Sequence, residues 1–231
     1  MKFFSWIVSV SKCTSNHSYE PSFSFMKPWG KLLAVLCLFF QNNGWGQDPN
    51  DLIDFSFGVD TSTLSPGDSA WLVLEVNVSP GWHAYWKTAG ETGYPTSIQW
   101  EVPDGVSVGK LMFPIPKIYE YQGLSSYVLE EKFSLLAKLD LDKSWEMGVP
   151  LPVKGQFSTL LCNEANCLPF DAELAIEIKT SGKTEVNRSV AGKVSRAQED
   201  LPKEWPDEWK ASLIWQGNEL IMSLTGQSLS Q

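Results

Sequence analysis

Cysteine is scarce in this chain: four stand among 231 residues, at positions 13, 37, 162 and 167. That excludes the cysteine-dense scaffolds on which small secreted domains depend. Histidine is rarer, with only His17 and His83. A structural zinc site needs four ligands, and Cys162, Cys167 and His83 fall short of that. Arginine occurs twice, at Arg188 and Arg196, and Lys plus Arg total 18 against 27 Asp plus Glu. A formal net charge of −9 without a basic stripe argues against nucleic acid and against anionic membrane as partners. Long apolar runs are missing too, since none approaches the roughly 20 residues that span a bilayer as a helix.

The densest short apolar run is Leu32 to Phe40, in "MKPWGKLLAVLCLFFQNNGWG" at residues 26–46. Lys27 and Lys31 precede it, and Gly44 and Gly46 stand after it, where a processing enzyme would cut. Basic start, short apolar core and small residues at the end make a secretory signal peptide. Residues 1–46 are therefore expected to be a leader, with Met26 the true start and the mature chain beginning near Gln47. Cys13 and Cys37 leave with it. So do Lys2, Lys12, Lys27, Lys31 and Glu20, which takes the net charge from −9 to −12. Cys162 and Cys167 then remain alone in an oxidising compartment.

Beyond the leader the chain reads as β-structure. Leu72, Leu74, Val76 and Val78 share one face of "AWLVLEVNV". Phe133, Leu135, Ala137 and Leu139 share one face of "KFSLLAKLD", and Leu174, Ile176 and Ile178 one face of "AELAIEI". Each run is expected to bury one side and wet the other. Turn signals separate the runs, with "SPGD" at 65–68, "SPG" at 79–81, "PDG" at 103–105 and "MGVP" at 147–150. Short strands at this spacing predict an all-β, immunoglobulin-like β-sandwich over residues 47–180. Residues 181–205 are polar and hold both arginines, and they predict a linker with one modest helix. Residues 206–231 offer two short strands around "QGN", the start of a truncated second β domain.

The cysteine pair lies in "LLCNEANCLPF", Leu160 to Phe170. As a staple it would close a loop of only six residues, worth about 2 kcal/mol in chain entropy before strain. A bond meant for stability would join distant strands, so a redox carrier is the sharper reading. Nothing around it marks a helix start that would strongly activate a thiol. A soft-ligand copper site from Cys162, Cys167 and His83 is a minor alternative. The adopted reading needs no cofactor and no metal.

A second dense stretch carries "WHAYWKTAGETGYPTSIQW" and then "FPIP" at 113–116. With the cysteine pair followed by Leu168 and Pro169, this order resembles the N-terminal periplasmic domain of the thiol:disulfide interchange protein DsbD and its copper-sensitivity-suppressor, ScsB-like relatives. The likeness covers about Asp54 to Lys179, plus the start of the following domain found in the suppressor branch. It implies a sandwich whose pair takes electrons from a membrane-embedded donor domain and passes them to periplasmic thioredoxin-fold proteins. It also implies that Cys167 meets the downstream partner while Cys162 resolves the mixed disulfide. An aromatic cap loop is implied in "YEYQGLSSY", making Tyr119 and Tyr121 cap residues and Glu120 a nearby carboxylate.

Trp82, Trp86 and Trp100, with the turn made by Gly90, Gly93 and Pro95, are expected to serve core packing and turn geometry rather than docking. The rival for the whole chain is a non-redox binding module. The chain has eleven tryptophans, and the eight beyond residue 46 could line a groove on a β-sandwich, the disulfide merely tying a loop.

Overall fold

The computed structural model describes residues 48–203, 210–217 and 219–225. The expected leader, the start at Met26 and the cut before Gln47 lie outside the described residues. Among these residues the strands run β1 (Ile53–Val59), β2 (Thr61–Leu64), β3 (Ser69–Val78), β4 (His83–Gly90), β5 (Ser97–Glu101), β6 (Val106–Val108) and β7 (Lys117–Tyr121). Then come β8 (Leu124–Glu130), β9 (Lys132–Leu141), β10 (Leu151–Cys162), β11 (Cys167–Thr180) and β12 (Glu185–Val186). Helix α1 (Arg188–Glu199) precedes β13 (Lys210–Gln216) and β14 (Glu219–Thr225).

The first twelve strands make an immunoglobulin-like β-sandwich. One sheet has the order β1-β3-β9-β6; the other runs β12-β2-β11-β10-β4-β8-β7, with β5 paired to the stretch of β10 that β4 leaves free. Strand alternation decides what enters the interior, because successive side chains point to opposite faces. Leu74, Val76, Phe133 and Leu135 from the first sheet meet Phe157, Leu161, Phe170 and Leu174 from the second. Phe55, Phe157 and Phe170 pack with ring centroids 6.0–6.2 Å apart in tilted or edge-on pairs, an arrangement aromatic quadrupoles favour. Leu72, Ala137, Leu139, Leu151 and Ile178 fill the other half of the core.

One expectation changes. The outer face of β3 and β9 is not simply wet: Val73 and Leu136 are buried there under Val194 and Ala197 of α1, with Trp71 and Val190 alongside. Residues 181–205, expected to be a linker, do hold the modest helix, but it is docked onto the sandwich. Lys193 of α1 is ion-paired with Glu75 of β3. Partial burial pushes the Glu75 carboxyl up, and Lys193, Ser56 and Lys132 together outweigh it and hold the group below its ordinary value. Beyond the helix, β13 and β14 form an antiparallel hairpin, with Leu213, Ile214, Trp215, Leu220 and Met222 exposed. No helix among the described residues is long and apolar enough to cross a membrane.

Candidate functional site: a disulfide at a tyrosine-lined cleft

Strands β10 and β11 form one long hairpin, and its last register pair is Cys162 with Cys167. The Cα atoms are 4.1 Å apart and the two sulfurs are bonded. A directly opposed pair outside the ladder's hydrogen bonds brings side chains closest, which suits a cross-strand bond. "NEAN" makes the turn. The Asn163 side-chain oxygen accepts hydrogen bonds from the backbone N–H of Ala165 and Asn166, and Asn163 N–H donates to the Asn166 carbonyl at 2.9 Å. An asparagine that closes its own turn fixes the register of the strands behind it.

The two sulfurs differ in surroundings. Cys162 is 2 % exposed and packs with Tyr85, Ala89 and Val128 on the outer face of the larger sheet, whereas Cys167 is exposed. Both border a cleft of about 380 Å³ whose far wall is Tyr119 and Tyr121. These two rings stand on one face of β7 with centroids 6.4 Å apart. Desolvation, then the Glu164 carboxylate across the cleft, push the Tyr119 hydroxyl above its ordinary pKa.

The expected cap loop is in fact a β-hairpin. Tyr121 pairs with Leu124, leaving a two-residue turn of Gln122 at φ 51° and Gly123 at φ 81°. Two consecutive positive φ values are what a hairpin turn matching strand twist requires. The strand also corrects the role of Glu120. It alternates to the opposite face from Tyr119 and does not line the cleft, where Glu164 of the cysteine turn stands instead.

The third wall is "TGY", Thr92 to Tyr94. Thr96 ties this segment down by donating to the Tyr85 carbonyl and by bonding to the Thr159 hydroxyl at 2.7 Å, while Thr92 and Ser126 hydroxyls meet at 2.6 Å. Gly93 lies against the Tyr85 ring, and Tyr94 is 73 % exposed at the rim. Sequence reasoning does not single out Tyr94 or Glu164. An aromatic between Gly93 and Pro95 is the signal that marks the first, since such a turn leaves its side chain nowhere to bury. Trp82 is in the core, and Trp100 packs against it. Trp86 packs beside the core too, its indole N–H donating to the Pro114 carbonyl of "FPIP" at 2.8 Å.

His83 shares the outer face with the cysteines and is 4 % exposed. Its ring lies 4.6 Å from the Tyr119 ring and 5.4 Å from the Tyr85 ring, centroid to centroid. Burial drives its pKa below the ordinary 6.5, opposed by the Glu130 carboxylate. Among the described residues, no group of three or more His, Cys, Asp or Glu side chains is arranged to hold a metal ion.

Fold and site together define a thiol–disulfide exchange domain: a β-sandwich carrying one cross-strand cysteine pair at the edge of an aromatic cleft. The family model described as thiol:disulfide interchange protein DsbD, N-terminal, matches residues 55–178, and the chain belongs to that family. The N-terminal periplasmic domain of ScsB from Proteus mirabilis is similar in fold, with a TM-score of 0.58 at 19% identity over 80% of this chain and 69% of that one. The N-terminal domain of DsbD from Neisseria meningitidis, in the reduced form, gives a TM-score of 0.35 at 14% identity over 63% of this chain and 98% of that one. No match was found among curated proteins.

Proposed function

We propose that this chain is a periplasmic electron relay. The Cys162–Cys167 pair accepts two electrons from a membrane-embedded donor domain and delivers them to periplasmic thioredoxin-fold proteins. The observation that carries this reading is the asymmetry at the hairpin tip, where Cys167 is exposed and Cys162 is buried. Disulfide exchange proceeds through a mixed disulfide at the more accessible sulfur, which the neighbouring thiol then resolves. The sandwich supplies both from a single register pair. Trp82, Trp86 and Trp100 belong to or pack on the core, so the rival binding groove loses three of its aromatics.

Equilibration of the chain with glutathione or dithiothreitol redox buffers tests the relay. The pair should titrate at a potential above about −300 mV, within reach of periplasmic carriers. A potential below that value would make the bond structural and return the chain to the binding-module reading.

Tyr119 and Tyr121 act as the cap in this scheme, standing over the pair and limiting what reaches it. Replacing both with alanine is expected to speed alkylation of the reduced pair by a small reagent several-fold, because reactivity follows access as well as thiolate content. An unchanged rate would remove the cap from the scheme.

A further inference from the structure

Four groups that can carry a proton or a charge stand in one row across four neighbouring strands. Cys167 of β11 is opposite Cys162 of β10, Cys162 is opposite His83 of β4, and His83 is opposite Glu130 of β8. Directly opposed residues hold their Cβ atoms about 4.5–5.5 Å apart. All four project to the outer face, since their chain neighbours Leu161, Ala84 and Leu129 are in the core.

One atom in this row is unexplained. His83 Nε2 is fully buried and has no hydrogen-bond partner. Leaving a buried polar atom without a partner carries its full desolvation cost, and such a cost calls for a reason. Reduction of the disulfide supplies one, because it places a thiol on the cross-strand neighbour of that ring. A thiol as enclosed as Cys162 is a poor nucleophile by itself, since burial in apolar surroundings opposes thiolate formation.

We propose that His83 is the proton acceptor for the Cys162 thiol. This rests on the relay reading above, in which Cys162 is the resolving cysteine. In the mixed disulfide, Cys167 Sγ is bonded to the sulfur of the thioredoxin-fold partner. Cys162 gives its proton to His83 Nε2, and its electron pair forms the Cys162–Cys167 bond. The bond from Cys167 to the partner breaks, and that electron pair leaves on the partner's thiolate. The pair is oxidised by two electrons, the partner's disulfide is reduced to two thiols, and the His83 proton returns through the cleft to the departing thiolate.

The groups facing His83 favour this assignment. Glu130 is ion-paired with Lys117 of β7 at 2.8 Å and so stands beside the ring as a fixed charge that stabilises a protonated imidazole. Tyr85 on its own strand and Tyr119 on β7 pack on the ring and exclude water. Glu164 in the cysteine turn adds a second carboxylate at the cleft. In the disulfide form burial favours the neutral ring, the state in which an imidazole can accept a proton.

The test needs no redox partner. In the Cys167→Ser chain, alkylation of Cys162 is followed against pH by mass spectrometry of its peptide, so Cys13 and Cys37 do not enter. The Cys162 profile should have its midpoint below the ordinary 8.5 or so, and adding His83→Gln should raise that midpoint by about one unit, a roughly tenfold loss of rate at pH 7. A second measurement uses the unsubstituted chain and so does not depend on how a variant folds. The His83 ring, titrated by NMR, should show a higher midpoint in the reduced form than in the disulfide form, because a neighbouring thiolate favours the imidazolium and the two groups titrate as a pair. An identical Cys162 profile with and without His83, or a His83 midpoint that does not move on reduction, would overturn the assignment. Failure of the relay itself is read separately, from the potential of the pair.

Discussion

With Cys162 replaced by alanine, a covalent complex between this chain and a thioredoxin-fold protein is expected to accumulate and to show on non-reducing electrophoresis. With Cys167 replaced by alanine, no such complex forms. The contrast arises from where the register pair sits. Cys167 is exposed at the first position of β11, ahead of Leu168 and Pro169, where its thiolate can reach the disulfide of an incoming partner. Cys162 is enclosed by Tyr85, Ala89 and Val128, and a sulfur of a folded partner comes within its reach only when Cys167 holds it there. Its task is then to expel the partner, and without it the mixed disulfide has no intramolecular exit. The effect is close to all or none, because resolution by outside thiols is a bimolecular reaction replacing a pre-positioned one. Equal trapping by both variants would cancel the division of roles.

Gly93→Ala is expected to destabilise the fold by about 2–4 kcal/mol, combining a left-handed backbone penalty with an overpacked contact. Gly93 has φ +85°, and a Cβ there would lie 2.1 Å from Tyr85 Cζ and 2.2 Å from Cε1. The ring cannot step aside cheaply. Tyr85 is 4 % exposed, and its strand is anchored through its carbonyl to Thr96. A denaturant midpoint shifted by this amount, with the slope unchanged, is the signature to look for. A loss under about 0.5 kcal/mol, the range of ordinary surface substitutions, would show that the wall of the cleft gives way freely.

Much of the sandwich was legible in the chain itself. Leu72, Leu74, Val76 and Val78 alternate, and they are buried on one face as the period of two demands. The four turn signals fall between strands. Val73 and Leu136 were harder, because their burial depends on α1, which joins the sheet from a polar segment with few apolar residues to announce it. The cysteines were legible by their isolation and spacing. Their neighbours were not, since the row from Cys167 to Glu130 is set by pairing between strands far apart in sequence, and spacing along one chain carries no register across a sheet. The segment expected to hold the cap takes the form of a hairpin rather than a loop. "QG" is a weaker hairpin signal than Asn-Gly, and only the pairing of Tyr121 with Leu124 fixes the turn. The same pleat sends Glu120 away from the site and Tyr119 into it.

The cysteine bond links two strands that are already in register along twelve residue pairs, from Leu151 with Ile178 to Cys162 with Cys167. A cross-link at the end of a finished zipper leaves the zipper closed whether it is made or broken. The hairpin therefore offers no shape change of its own with which to report the redox state of the pair, and it is not built as a ratchet that holds one partner and rejects the next. In the proposed relay, donor and acceptor would meet nearly the same surface, and the direction of traffic would be set by supply on one side and demand on the other, as in a wire rather than a valve.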